Sequence, residues 1–241
     1  MNNHNAQKTL FGHPKGLFYL FFAELWERFS FYGMRALLML YMTDHLLYSD
    51  KISFGIFAAY GSLVYVTPLI GGLIADKVLG YKKSIILGGI LMALGHFVLT
   101  IEHPIMFYAA LAFLIVGNGF FKPNISSLVG SLYSKGDNRR DSGFMIFYMG
   151  VNIGGWIAPL LCGWLGMTYG WHYGFGLAGI GMLFGLFVFN HASKRGIFGT
   201  HGDVANVALY EKKWGPLSTG KLITLGALLL AVSYTHLTLP T

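Results

Sequence analysis

The sequence predicts an all-α, polytopic membrane protein, and three observations carry that prediction. Charged residues make up 11% of the chain and the hydrophobic set 54%, where a soluble domain carries roughly 25% charge. Mean hydropathy is +0.56. Several apolar runs approach the ~20 residues that an α-helix needs to cross a bilayer, and helices satisfy their own backbone groups there. The single cysteine, Cys162, lies in an apolar run, so the chain has no internal disulfide framework.

Residues 1–16 read as a polar leader. They do not form a cleavable signal, because the apolar run that follows is too long for an h-region. The first span covers about Leu17 to Leu47. The second, about Ile52 to Val78, is interrupted by Pro68. The third, about Ser84 to Ile101, stops at His103-Pro104. The fourth runs from about Ile105 to Leu132 with Pro123 inside it, the fifth from Gly143 to Met167, and the sixth from Tyr173 to Asn190. Residues 191–219 form a long polar linker, and residues 220–241 hold a further apolar run, Lys221 to Val232, with a closing SYTHLTLPT. That run is too short to span unaided. We read the chain as a truncated N-terminal half whose last residues are either its true end or an artefact.

The loops give an orientation. With the N-terminus inside, Lys77, Lys82, Lys83, Lys135, Arg139, Arg140, Lys194, Arg195, Lys212 and Lys213 all fall on the cytoplasmic side, against Lys51 on the other. The net charge of +7 is therefore loop chemistry. It forms no basic stripe, which argues against nucleic acid as a partner. The partner the composition requires is a lipid bilayer, in the inner or plasma membrane. Six spans, a long inner linker and the start of a seventh span resemble one half of a major facilitator fold, whose halves are built from 3+3 inverted repeats.

Charge inside a span is expensive, at least ~2.5–3.5 kcal/mol per group, and usually functional. The first span nevertheless reads ELWERFSFYGMR from Glu24 to Arg35. At 100° per residue, Glu24, Glu27, Arg28, Phe31, Tyr32 and Arg35 share an arc of roughly 140°, opposite the apolar Leu25, Phe29, Ala36 and Leu40. One face of this helix is wet, either as a salt-bridge ladder or as a substrate or ion path. Three more signals join it. The turn between spans two and three reads GGLIADKVLGYKKS, with Asp76 and Gly80. Span four contains GNGFFKPN, which places Lys122 one turn after Asn118. Span five reads FMIFYMGVNIGG, with Tyr148 and Asn152 at i, i+4.

Together these motifs resemble the proton-coupled oligopeptide transporter family, the peptide branch of the major facilitator superfamily, over Leu17 to Asn190. The resemblance implies symport of di- and tripeptides with protons, the proton being the coupling ion and no other cofactor being needed. It assigns Arg28 to the carboxyl end of the peptide, where a planar guanidinium fork suits a carboxylate. Glu24, Glu27 and Lys122 become the proton-coupling groups, since carboxylates and an ammonium shift their proton affinity with pairing and burial. Tyr32, Arg35, Tyr65, Lys122 and Asn152 line the peptide pocket, and Asp76 with Gly80 form a conformational latch. It also implies a missing C-terminal six-helix half. Phe31 stands where the family usually has a tyrosine, and Trp156 where a smaller residue is usual; we expect Trp156 to thicken a helix contact. A related facilitator for an amino acid or another anion remains open, as does a fragment without independent activity. An enzyme is disfavoured, because no metal, nucleophile or phosphate-loop motif is present. The nine histidines show no metal spacing, and His96 reads as a packed histidine or a proton relay.

Overall fold

The computed structural model describes residues 9–204 and 206–237, with side chains as far as Val232. Helix α1 (Lys15–Leu40) continues through a π-helical turn, Tyr41–His45, and the chain then reverses at Leu47 with a positive φ of 55°. Helix α2 (Asp50–Ile74) starts at Ser49, whose hydroxyl accepts from the Ile52 N–H. A second π-helical turn, Ala75–Leu79, leads into α3 (Gly80–Leu99). Helix α4 (Pro104–Ser131) uses His103 as its cap and Pro104 where a missing N–H costs nothing. Helices α5 (Arg139–Tyr169) and α6 (Trp171–Lys194) are separated only by Gly170, and α7 (Val207–Glu211) and α8 (Thr219–Leu237) follow. Two short hairpins complete the chain: β1 (Thr9–Leu10) with β2 (His13–Pro14), and β3 (Lys213–Trp214) with β4 (Leu217–Ser218).

The stretches Asp50–Leu99, Pro104–Ser131, Arg139–Tyr169 and Trp171–Lys194 are long and apolar enough to cross a membrane, the first of them twice around Gly80. Helix α1 is also long enough, at 26 residues, but carries the four charges between Glu24 and Arg35. This is the N-terminal six-helix bundle of a major facilitator fold. Its packing is that of two inverted repeats, α1–α3 and α4–α6. Helix α1 packs on α5 and α6, α4 packs on α2 and α3, and α3 meets α6. Exchanging α1 with α4, α2 with α5 and α3 with α6 returns these contacts, though the packing of α5 on α6 has no comparable α2–α3 counterpart among the described residues. The crossings are tight because there is little hydrophobic driving force between helices in lipid, so close backbone approach does the holding. At Gly71 any Cβ would fall on the Gly119 carbonyl of α4. Beside it, the Thr67 hydroxyl donates to the Ile115 carbonyl at 3.0 Å across the same interface.

Both ends of the bundle are fastened by polar contacts. On one side Glu102, in the α3–α4 loop, meets His45 Nε2 at 3.3 Å and His172 Nδ1 at 2.9 Å, which joins the ends of α1, α3 and α6. On the other side the β1–β2 hairpin, within the segment read as leader, is anchored by a His13–Tyr133 hydrogen bond of 2.9 Å and by Arg139 donating to the Gly12 carbonyl at 2.8 Å. Arg139 also pairs with Asp137, and these hydrogen bonds hold the Asp137 carboxyl down at about 2. Asp137 accepts from the Arg139 N–H as well, so α5 begins a turn before the expected Gly143.

The segment read as a linker is partly structured. Phe198 is fully buried and stacks on Phe189 at 5.3 Å. The next residues close over the α2–α3 turn. Lys82 N–H donates to the Gly202 carbonyl at 2.9 Å, and Lys82 Nζ reaches the Gly199 carbonyl at 2.6 Å and Asp203 at 2.7 Å. Helix α8 packs on α4 and forms an apolar cluster with α3 and α4 around Leu91, Val116, Phe120, Ala227 and Ala231. A cavity of about 350 Å³ remains between α8, α2 and α4. The closing SYTHLTLPT lies outside the described side chains.

Candidate functional site

The site is built on α1, which is enclosed by α4, α5 and α6 and therefore buries its charged face. Glu24, Glu27 and Arg28 are each no more than 3% exposed. Arg28 Nη2 donates to Glu27 Oε1 at 2.6 Å, its Nε also meets Glu27 Oε2, and the same Nε lies 3.3 Å from Glu24 Oε1. One guanidinium thus holds two carboxylates, with the Glu27 side as a two-toothed fork. The Arg28 Cζ lies 5.0 Å from the Phe31 ring and 5.9 Å from the Tyr32 ring, so aromatic faces back the charge. Ser30 Oγ donates to the Glu27 carbonyl at 2.8 Å. Helix α5 approaches closely here: Gly154 lies on the backbone at Leu25 and Phe29, and Gly155 lies on the Tyr32 ring.

Helix α4 supplies Lys122, half-buried, with its Nζ 5.6 Å from the Tyr65 ring of α2 and within electrostatic reach of Glu24. Two cations and two anions therefore occupy one region. Arg35 sits two turns further along α1, with its Cζ 5.0 Å from the Phe57 ring. Tyr65 is 69% exposed, and Tyr148 and Asn152 are exposed together on one face of α5. Trp156 is 73% exposed and does not thicken the helix contact. Gly155 is the residue that meets Tyr32, and the next position turns away from it.

Asp76 and Gly80 lie apart from this cluster. Gly80 has φ +71°, and a Cβ there would meet the backbone of Gly202 and Asp203 within 2.8 Å, so only glycine admits the strap that crosses it. Asp76 is exposed beside the Tyr81 hydroxyl.

Sequence reasoning missed Tyr60 and passed over Asn118. Both are buried, and among the described residues neither the Tyr60 hydroxyl nor the Asn118 amide has a hydrogen-bond partner. The buried residues of α2 are Ser53, Tyr60, Val64 and Gly71, a helical stripe that was the available signal for Tyr60. His96 is fully buried, and neither of its ring nitrogens is paired among the described residues.

A buried guanidinium–dicarboxylate cluster with a nearby lysine is thus set in the six-helix half of a major facilitator fold. A family model described as POT family matches residues 82–206, and the chain belongs to that family. It is 45% identical over 244 residues to an uncharacterised transporter, YclF, of Bacillus subtilis (strain 168), covering 97% of this chain and 48% of that one. It is 47% identical over 197 residues to the di-/tripeptide transporter of Lactococcus lactis subsp. lactis (strain IL1403), covering 78% of this chain and 39% of that one. The crystal structure of a peptide transporter POT in complex with sulfate superposes with a TM-score of 0.80 at 42% identity, covering 96% of this chain and 48% of that one. A POT family transporter in complex with 5-aminolevulinic acid gives 0.77 at 37% identity, over 97% and 50% of the two chains. The chain thus spans about half the length of the curated relatives it matches.

Proposed function

We propose that this chain supplies the N-terminal bundle of a carrier that moves di- and tripeptides together with protons across a cell membrane, with its N-terminus in the cytoplasm. The observation that carries the reading is Arg28 held by Glu27 and Glu24, with Lys122 close by. A guanidinium shared by two buried carboxylates can be released to a peptide carboxylate when one of them takes a proton, which ties substrate binding to protonation. Tyr32, Tyr65 and Asn152 offer aromatic walls and an amide that can donate and accept along a peptide backbone. The similarity to a di-/tripeptide transporter supports the substrate class, and the asymmetry of loop charge supports the orientation. Asp76 and Gly80 serve as a latch at the cytoplasmic turn.

Alternating access needs two bundles moving about a midplane site. The test is co-expression of the 241-residue chain with the C-terminal half of the Lactococcus transporter. The copurified pair is then assayed in proteoliposomes for dipeptide uptake driven by an inward proton gradient. We expect uptake from the pair and none from the chain alone. A copurified pair that moves free amino acids but no dipeptide defeats the peptide reading. A reporter fused after Arg140 is expected to signal cytoplasm, and an external signal reverses the orientation.

A further inference from the structure

The mechanism above leaves one question of charge. When Arg28 turns to a substrate carboxylate, Glu27 loses its partner inside a low-dielectric bundle, and a buried charge with its partner removed is strongly destabilising. On the proposed reading, protonation of Glu27 answers this. Nothing on α1 answers it when Glu27 stays ionised, because the guanidinium cannot serve both carboxylates with the same fork.

We infer that Tyr60 is a positioning residue of this site, whose hydroxyl donates to the Glu27 carboxylate while Arg28 engages the substrate. The inference rests on the peptide reading and on four observations. Tyr60 is 2% exposed and its hydroxyl has no partner among the described residues, although buried hydroxyls are nearly always paired. A phenol left unpaired costs stability in that state, as expected of a group that finds its acceptor in another. Tyr60 lies on the inward stripe of α2 with Val64 and Gly71. The neighbouring positions of α2 already face α1 and its partner lysine: Phe57 lies against Arg35 and Tyr65 beneath Lys122. This leaves Tyr60 at the level of Arg28 between them. Of the charges within electrostatic reach of its hydroxyl, Glu27 is foremost, followed by Arg28 and Arg35.

The chemistry suits the task. A phenol donates a hydrogen bond without carrying charge, so it supports an ionised Glu27 without competing for the peptide carboxylate as a lysine would. The charged groups of the site are Glu24, Glu27, Arg28 and Arg35 of α1 and Lys122 of α4. A protonated Glu27 releases Arg28 with no donor needed, so the hydroxyl matters while Glu27 is ionised.

Tyr60→Phe removes only the hydroxyl, and two measurements read it. The first is the melting temperature of the detergent-solubilised 241-residue chain, which we expect to be unchanged or higher. A clear fall overturns the inference, because the hydroxyl is then already paired in this state. The second is dipeptide affinity of the carrier completed with the C-terminal half. We expect affinity to fall about tenfold near pH 8, as loss of one hydrogen bond to a charged group implies. We expect the loss to vanish in a Glu27→Gln background, where no Glu27 charge needs the hydroxyl. Loss of affinity to the same degree in both backgrounds overturns the inference. So does a variant indistinguishable from the unaltered carrier, which leaves the peptide reading standing. An unaltered carrier that binds no dipeptide fails the peptide reading, and this inference with it.

Discussion

On the proposed reading, Glu27→Gln separates proton coupling from peptide binding. In the structure Arg28 is held by two bonds to Glu27, one of 2.6 Å, and by Glu24 at 3.3 Å. Glutamine keeps the size and one acceptor oxygen but removes the charge and the titratable proton. Unit charges ~4 Å apart at an effective dielectric near 20 attract by about 4 kcal/mol before desolvation is counted. The retained acceptor and the remaining Glu24 return part of this, so about 2 kcal/mol of restraint on Arg28 is lost. Such a change shifts a binding constant by more than tenfold. The variant mimics a permanently protonated Glu27, with Arg28 free for the peptide. In the completed carrier, uphill dipeptide uptake driven by a pH gradient should be lost. Dipeptide binding and downhill exchange should survive. Uptake against a gradient at a near unaltered rate refutes this assignment. Glu24 is then the coupling carboxylate, as it lies one turn away and also touches Arg28.

Two further predictions concern the frame that holds the site. Gly71→Ala puts a methyl on the Gly119 carbonyl and should destabilise by about 1–3 kcal/mol or more, whereas Gly61→Ala, with open space around it, should be neutral or slightly stabilising through helix propensity; thermal melting of the two variants compares them, and equal effects defeat the packing account. Lys82→Ala removes the side-chain bonds to Gly199 and Asp203 but leaves the backbone bond to Gly202, and with Asp203 largely exposed it should cost about 1 kcal/mol or less. Gly80→Ala clashes with the strap itself, so hydrogen exchange at residues 199–203 should rise far more than in Lys82→Ala; the reverse order refutes the strap.

How much was legible in the sequence depended on whether charge marked the face. Glu24, Glu27 and Arg28 could be placed on one side of α1 by spacing alone, because ionised groups in a span must turn to the bundle interior. Lys122 and Arg35 were found for the same reason. Helix α2 offers no such mark between Phe57 and Tyr65. Its inward stripe through Tyr60 and its outer stripe through Tyr65 are equally apolar in composition. In lipid that is expected, because hydrophobicity no longer separates inside from outside. Pattern alone therefore does not single out the buried Tyr60, and Tyr65 is assigned by the family resemblance instead. The segment after α6 was hidden differently. Its polar composition read as a free linker, and only the packing of Phe198 under Phe189, with Gly202 over Gly80, makes it part of the bundle. The second of those contacts joins positions more than a hundred residues apart, which no local pattern encodes.

The internal symmetry explains why the candidate groups meet at all. Exchange of α1 with α4 maps the helix carrying Arg28 onto the helix carrying Lys122, and each packs against the middle helix of the opposite repeat. The two cations thus come from equivalent helices and converge, but the two carboxylates come from α1 alone. With all four groups ionised, Glu24, Glu27, Arg28 and Lys122 sum to zero, which suits a buried cluster without substrate; Arg35 stands two turns further along α1, outside the four. A single proton on either carboxylate leaves one net positive charge, the complement of a peptide carboxylate. A lone carboxylate on α1 would leave the empty site positive, and a third would make it need two protons. On the proposed reading, the asymmetry of the carboxylates between two otherwise equivalent helices is what makes one proton the natural companion of one substrate carboxylate.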